Sequence, residues 1–81
     1  MSQFTQQVGR RIQALRISQG ILQETLAQRS AITRTHLSRI ENGRCDMALT
    51  TLEAISNGLK VEPWQLLAFP GKVQTYNSRT L

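Results

Sequence analysis

Apolar residues recur at spacings of three and four from residue 4 to residue 67, and strand-like alternation is nearly absent before residue 72. That periodicity predicts an all-α architecture, in which each helix turns one apolar stripe onto a shared core. Phe4, Val8, Ile12 and Leu15 mark the inward side of a first helix, with Gly20 as its terminator. A second run, Leu22–Arg29, is about two turns long and carries Leu26 and Ala27 inward. Ser30 and Ala31 make a short turn. Thr33 is placed to cap a third helix that ends at Asn42-Gly43. A fourth covers Leu49–Leu59, with Leu49, Leu52, Ile55 and Leu59 on one side. A fifth opens at Glu62-Pro63, with proline at its first position, Gln65 completing a capping box, and Trp64, Leu66 and Leu67 as its apolar bulk. Glycines and prolines, Gly9 and Gly58 among them, mark the periphery of these runs more than their middles.

The expected product is a compact five-helix bundle over residues 1–69, followed by a polar C-terminal tail over 70–81 that either frays or packs on a partner subunit. With 81 residues, one small domain with a modest core is the limit. Ten Lys and Arg stand against five Asp and Glu, a formal charge of +5. That excess favours a polyanionic partner, nucleic acid first. The single cysteine, Cys45, excludes an internal disulfide and a cysteine-rich zinc site, and the lone His36 has no ligands at metal spacing. No metal and no cofactor is expected. No nucleophile–base pair or phosphate-cradling glycine loop appears, so the chain is not expected to be an enzyme. No apolar run approaches membrane-spanning length, and the N-terminus lacks a signal-peptide core, so a cytoplasmic protein without a membrane partner is expected.

The second and third helices lie about four residues apart, the link length of a helix-turn-helix. Ala27 supplies the small residue where the two helices approach, and Ile32, Leu37 and Ile40 plug the crossing. At about 100° per residue, Leu37 and Ile40 face the core while Thr35, Ser38, Arg39 and Asn42 face away, with Arg34 at the N-terminal end. Arg34 and Arg39 are each able to read a guanine bidentately through O6 and N7, and Thr35 can meet a thymine methyl or a base edge. The bland alternative is a solvated basic face. His36 and Ser38 are candidates for base or phosphate, His36 equally for a plain surface histidine. Gln23 opens the second helix, whose amides suit an anion. Thr33, Asn42 and Arg44 flank the third helix at phosphate distance, and Arg10 and Arg11 are weaker candidates. Glu41 falls at the edge of the core side, so partial burial is expected, and a partly buried carboxylate needs a cation. Cys45 is expected to be a plain free thiol.

Residues 9–68 resemble the Cro-type, or xenobiotic-response-element, helix-turn-helix regulators. The resemblance rests on Gln23-Glu24-Thr25-Leu26-Ala27, on Ile32 through Gly43, on Leu49-x-Thr51-Leu52, and on Val61 with Leu66-Leu67. The run Arg34-Thr35-His36-Leu37-Ser38 is also similar to that of restriction–modification controller proteins. The resemblance implies base contacts from Arg34, Thr35 and Arg39, a phosphate clamp from Gln23, and a structural ion pair between Arg16 and Glu41. Four positions depart from the pattern. Leu22 stands where a capping Ser or Thr is usual, Ala31 and Lys60 where Gly is usual, and Met47 where Pro is usual. Ala31 implies either a turn without strongly positive φ or a small strain cost.

One helix reads too few base pairs to single out a genomic site, so a homodimer on palindromic double-stranded DNA is expected. Trp64, Leu67 and Phe69 are the candidate dimer surface, with closure of the monomer core as the alternative. The expectation is a transcriptional regulator, a repressor or an activator; activation would require a contact with RNA polymerase. The competing expectation is an antitoxin or protein-interaction module, with DNA binding secondary.

Overall fold

The computed structural model describes residues 2–68. These form four α-helices: α1 (Gln3–Ser18), α2 (Gln23–Arg29), α3 (Arg34–Glu41) and α4 (Leu49–Leu59). The expected fifth helix is instead one 3₁₀ turn, Pro63–Leu66. Its bonds are short-range, Gln65 N–H to the Glu62 carbonyl at 2.9 Å and Leu67 N–H to that of Trp64 at 3.0 Å. Four residues closed by i to i+3 bonds make the tighter 3₁₀ turn, the form helices take in short pieces. Gln65 still closes back on the turn, its side-chain oxygen accepting the Glu62 N–H at 2.8 Å.

Val8 and Ile12 of α1, Leu26 and Ala27 of α2, Leu37 and Ile40 of α3, Leu52, Ile55 and Leu59 of α4, and Leu66 form one continuous core. Two expected core residues are outside it: Phe4 is 55% exposed and Leu49 81%. Both lie in the first turn of their helices and, with Val8, Met47 and Leu52, line one open hollow at the surface. Gly9, expected at the edge of a helical run, sits inside α1, whereas Gly58 stands one residue before the end of α4; both are buried. A Cβ at Gly58 would lie 2.9 Å from Leu26 Cδ1, so glycine there lets α4 close on α2.

All four helices end in the same way. A residue with left-handed φ follows each one: Gly20 at +70°, Ala31 at +57°, Gly43 at +69° and Lys60 at +60°. In each case the next amide reaches back five residues, Ile21 to Arg16, Ile32 to Ala27, Arg44 to Arg39 and Val61 to Ser56, at 2.8–3.1 Å. This is the Schellman closure, which satisfies the orphan carbonyls of the last turn and favours glycine at the left-handed position. Ala31 therefore takes the strained alternative. An L-residue held left-handed costs roughly 1–2 kcal/mol, and glycine gives back part of that through its own entropy. Ala31→Gly is expected to raise stability by about 0.5–1 kcal/mol, read as a higher urea midpoint at unchanged slope; a lower midpoint would contradict the strain.

Starts differ. Ser2 and Thr33 cap α1 and α3, their hydroxyls accepting from the Thr5 and His36 amides at 3.1 and 3.0 Å. Leu22 offers α2 no side-chain cap. No helix among the described residues is long and apolar enough to cross a membrane.

Candidate nucleic-acid interface

The α2–α3 pair is held by Ala27 and Leu26 against Leu37 and Ile40, with the turn 30–33 between them. That packing leaves one side of α3 in solvent. Arg34, Thr35, Arg39, Asn42 and Arg44 are exposed, and His36 and Ser38 half-buried. The single carboxylate of α3, Glu41, is not on that side: it is 2% exposed. Burial is deeper than the edge position implied, because three donors converge on it. Arg16 Nε lies 2.7 Å from Oε2, Arg16 Nη2 3.1 Å from Oε1, and Gln23 Nε2 3.0 Å from Oε1. Arg16 Nη1 also donates to the Ile21 carbonyl at 2.9 Å. A carboxylate so surrounded is desolvated without being left unpaired. The consequence for the surface is direct. The negative charge of α3 is internal and neutralised, so the helix shows no carboxylate of its own to solvent.

The remaining basic residues divide by use. Arg11 Nε donates to the Gln65 carbonyl at 3.0 Å, and Arg29 Nη1 to that of Gly58 at 3.2 Å. Both stitch the fold together, on the sides of α1 and α2 that meet the 3₁₀ turn and α4. Arg10 is exposed on α1.

Several candidates on the exposed face have local partners that sequence spacing did not reveal. Arg39 Nη2 reaches the Arg44 carbonyl at 3.4 Å. Arg39 also shares an open depression of about 380 Å³ with Thr33, Thr35, His36, Cys45 and Asp46. Asp46 is held from the other side by the Thr5 hydroxyl at 3.1 Å. Asn42 turns its amide nitrogen back onto the Ser38 carbonyl at 2.8 Å, serving as its own helix's cap. Thr33 accepts from His36, which leaves its hydroxyl proton free to donate outward. Gln23 and Arg34, the first residues of α2 and α3, meet side by side, Arg34 Nη1 at 3.4 Å from Gln23 Oε1. The helix-turn-helix crossing brings these two starts together, though they lie eleven positions apart. Trp64 is 65% exposed, Leu67 packs half-buried at the rim of the core, and Phe69 lies outside the described residues, as does the tail.

Residues 7–68 match the protein family described as "Helix-turn-helix domain". The chain belongs to that family. This helix-turn-helix protein is 37% identical over 62 residues to the control protein C.BamHI of Bacillus amyloliquefaciens, a match covering 75% of this chain and 76% of that one. It is 36% identical over 55 residues to the immunity repressor protein of Bacillus phage phi105, covering 68% of this chain. It spans 38% of that repressor's length, and 52% of a similarly matched Neisseria meningitidis hypothetical transcription factor. Among solved structures it superposes on the restriction–modification controller protein C.AhdI from Aeromonas hydrophila with a TM-score of 0.75 at 31% identity, covering 76% of this chain and 94% of that one. The wild-type controller protein C.Esp1396I gives 0.76 at 31%, covering 83% and 90%. The two controller structures and C.BamHI agree with the expected resemblance to restriction–modification controller proteins.

Proposed function

We propose that the protein is a sequence-specific, double-stranded-DNA-binding transcriptional regulator of the repressor or controller type, acting as a homodimer on a palindromic operator. The observation that carries the reading is the α3 face: Arg34, Thr35 and Arg39 are exposed on a helix whose one carboxylate is buried and paired. Such a helix brings no exposed carboxylate of its own toward the phosphates on entering a major groove. In this reading Arg34, Thr35 and Arg39 contact base edges, and His36 and Ser38 contact base or phosphate. Gln23, Thr33, Asn42 and Arg44 engage the backbone. Gln23 keeps one amide proton for this after its bond to Glu41, and every phosphate neutralised steepens the salt dependence by about 0.9 in log–log slope. The exposed Trp64, with Leu67 beside it, supports a dimer surface on the side of the molecule that α4 and the 3₁₀ turn occupy. Phe69 joins that surface in this reading. The names of the relatives, a control protein and an immunity repressor, support regulation by occupancy of DNA. The site calls for no cofactor or catalytic step, and the protein works in the cytoplasm, where its DNA is.

Selection of bound sequences from a random duplex pool tests this directly. A two-fold symmetric site with half-sites about one helical turn apart is expected. Retention of no sequence, or binding only alongside a second polypeptide, would defeat it in favour of an antitoxin-like module. On the selected site, Arg39→Ala is expected to weaken binding by roughly 1–3 kcal/mol and to relax preference at one base pair per half-site. Unchanged affinity and footprint would remove Arg39 from the readout.

A further inference from the structure

A carboxylate does stand beside α3, and it belongs to the loop that follows. Asp46 is exposed and fronts the same depression of about 380 Å³ as Thr35, His36 and Arg39. Its place is fixed from α1. An ionised carboxylate only accepts, so the Thr5 hydroxyl spends its one proton on Asp46 Oδ1 at 3.1 Å. The Ser2 hydroxyl, 3.0 Å from Thr5 Oγ1, is therefore the donor in that contact, and it accepts in turn from the Thr5 amide at 3.1 Å. These hydroxyls in line tie one oxygen of Asp46 to the capped start of α1. Arg39 leans towards the same loop, its Nη2 reaching the Arg44 carbonyl at 3.4 Å. The guanidinium thus has a neutral acceptor and a fixed negative charge on its loop side, with N–H donors to spare.

An arginine entering a groove meets two kinds of acceptor. Phosphate oxygens are charged, numerous and indifferent to sequence; guanine O6 and N7 are neutral and specify a base pair. A carboxylate beside the guanidinium treats the two differently. It repels a phosphate, more strongly as water leaves the closing interface, but it does not repel a neutral base edge. We propose that Asp46 is a specificity-determining residue: its charge keeps phosphates off Arg39 and leaves guanine as the acceptor that Arg39 takes. The inference rests on the reading of α3 as the groove-entering helix. It makes the Asp46 charge matter at the base pair that Arg39 reads, which a mere tie between α1 and the loop would not do.

The test uses the full chain and fluorescence anisotropy on the selected operator and on duplexes changed at each base pair in turn. Arg39→Ala first identifies the base pair that Arg39 reads. Asp46→Asn removes the charge and keeps an oxygen for the Thr5 hydroxyl, so the loop stays tied to α1. The variant is expected to bind duplexes altered at that base pair roughly tenfold more tightly relative to the operator, with discrimination at the other positions unchanged. Its log–log salt slope on those duplexes is expected to steepen by about 0.9, as Arg39 takes up a phosphate. Asp46→Glu keeps the charge and is expected to keep the discrimination. In the Arg39→Ala background, Asp46→Asn is expected to change no base preference. A gain in affinity equal on every duplex overturns the proposal and leaves the regulator standing. So does a loss of discrimination that Asp46→Glu shares, or an Arg39→Ala chain with the parent's base preferences. A wild-type chain with no sequence preference overturns both.

Discussion

Arg16→Ala is expected to destabilise the fold by about 3–5 kcal/mol, the cost of leaving a buried charge without its partner. The Glu41 side chain is 0% exposed and that of Arg16 13%, so water cannot replace the guanidinium. Two bonds to the carboxylate, at 2.7 and 3.1 Å, and one to the Ile21 carbonyl vanish together. Gln23 would remain as the one side-chain donor to Glu41, neutral and insufficient for an ionised carboxylate. A chain of 81 residues has a total stability of about 4–12 kcal/mol, so the loss is a large share of it. The expected readout is a fall in melting temperature of more than about 12 °C. The pair is expensive to break rather than strongly stabilising as a pair. Arg16→Met combined with Glu41→Leu is therefore expected to recover most of the loss, because no buried charge is left over. A single variant that melts within a few degrees of the parent, or a double variant worse than the single, would contradict this account of Glu41.

The same pair shows how far spacing carries and where it stops. An angle of about 100° per residue puts Glu41 at the edge of the core side, but angle alone does not say how many donors wait there. Burial followed from Arg16 and Gln23 arriving from two other helices, a tertiary fact. Helix terminators divide similarly. Gly20 and Gly43 advertise their left-handed turns by residue type; Ala31 and Lys60 adopt the same φ without doing so. It was the departure from a family pattern at those two positions that marked them. Periodicity extended correctly along the middles of α1 and α4 and failed at their first turns, where Phe4 and Leu49 keep the phase of the stripe but have outrun the core. The fifth element was mistyped because Pro63 signals a helix start equally well for one 3₁₀ turn. On the interface, exposure of Arg34, Thr35 and Arg39 was legible from the positions of Leu37 and Ile40. The Gln23–Arg34 contact and the Asn42 cap were not, since both depend on where flexible side chains rest.

Gly9→Ala is the second large effect, and its sign separates two ways of reading the chain. Gly9 lies within α1, where helix propensity alone favours alanine by roughly 1 kcal/mol. The fold opposes this. A Cβ at residue 9 would overlap the Ile40 carbonyl oxygen and lie 3.1 Å from that of Glu41. These are backbone atoms, so no rotamer change relieves the contact. The Ile40 carbonyl is also engaged, accepting the Gly43 amide at 3.0 Å in the closure of α3. To admit the methyl group, α1 must move away from α3, and Arg16, about two turns along the same face, moves with it from Glu41. The expected net cost is about 3 kcal/mol, the upper part of the range for overpacking, even after the propensity gain. Gly20→Ala is the control: nothing lies within 4 Å of its Cβ, and only its φ of +70° is strained, so a loss of about 1 kcal/mol is expected. Urea unfolding of the two variants gives the comparison. Because the displaced element is the recognition helix, Gly9→Ala is also expected to weaken operator binding under conditions where the chain is still folded, while Gly20→Ala leaves it unchanged. A Gly9→Ala chain as stable as the parent would mean that α1 and α3 are not in backbone contact, and the placement of the arginine face would have to be drawn again.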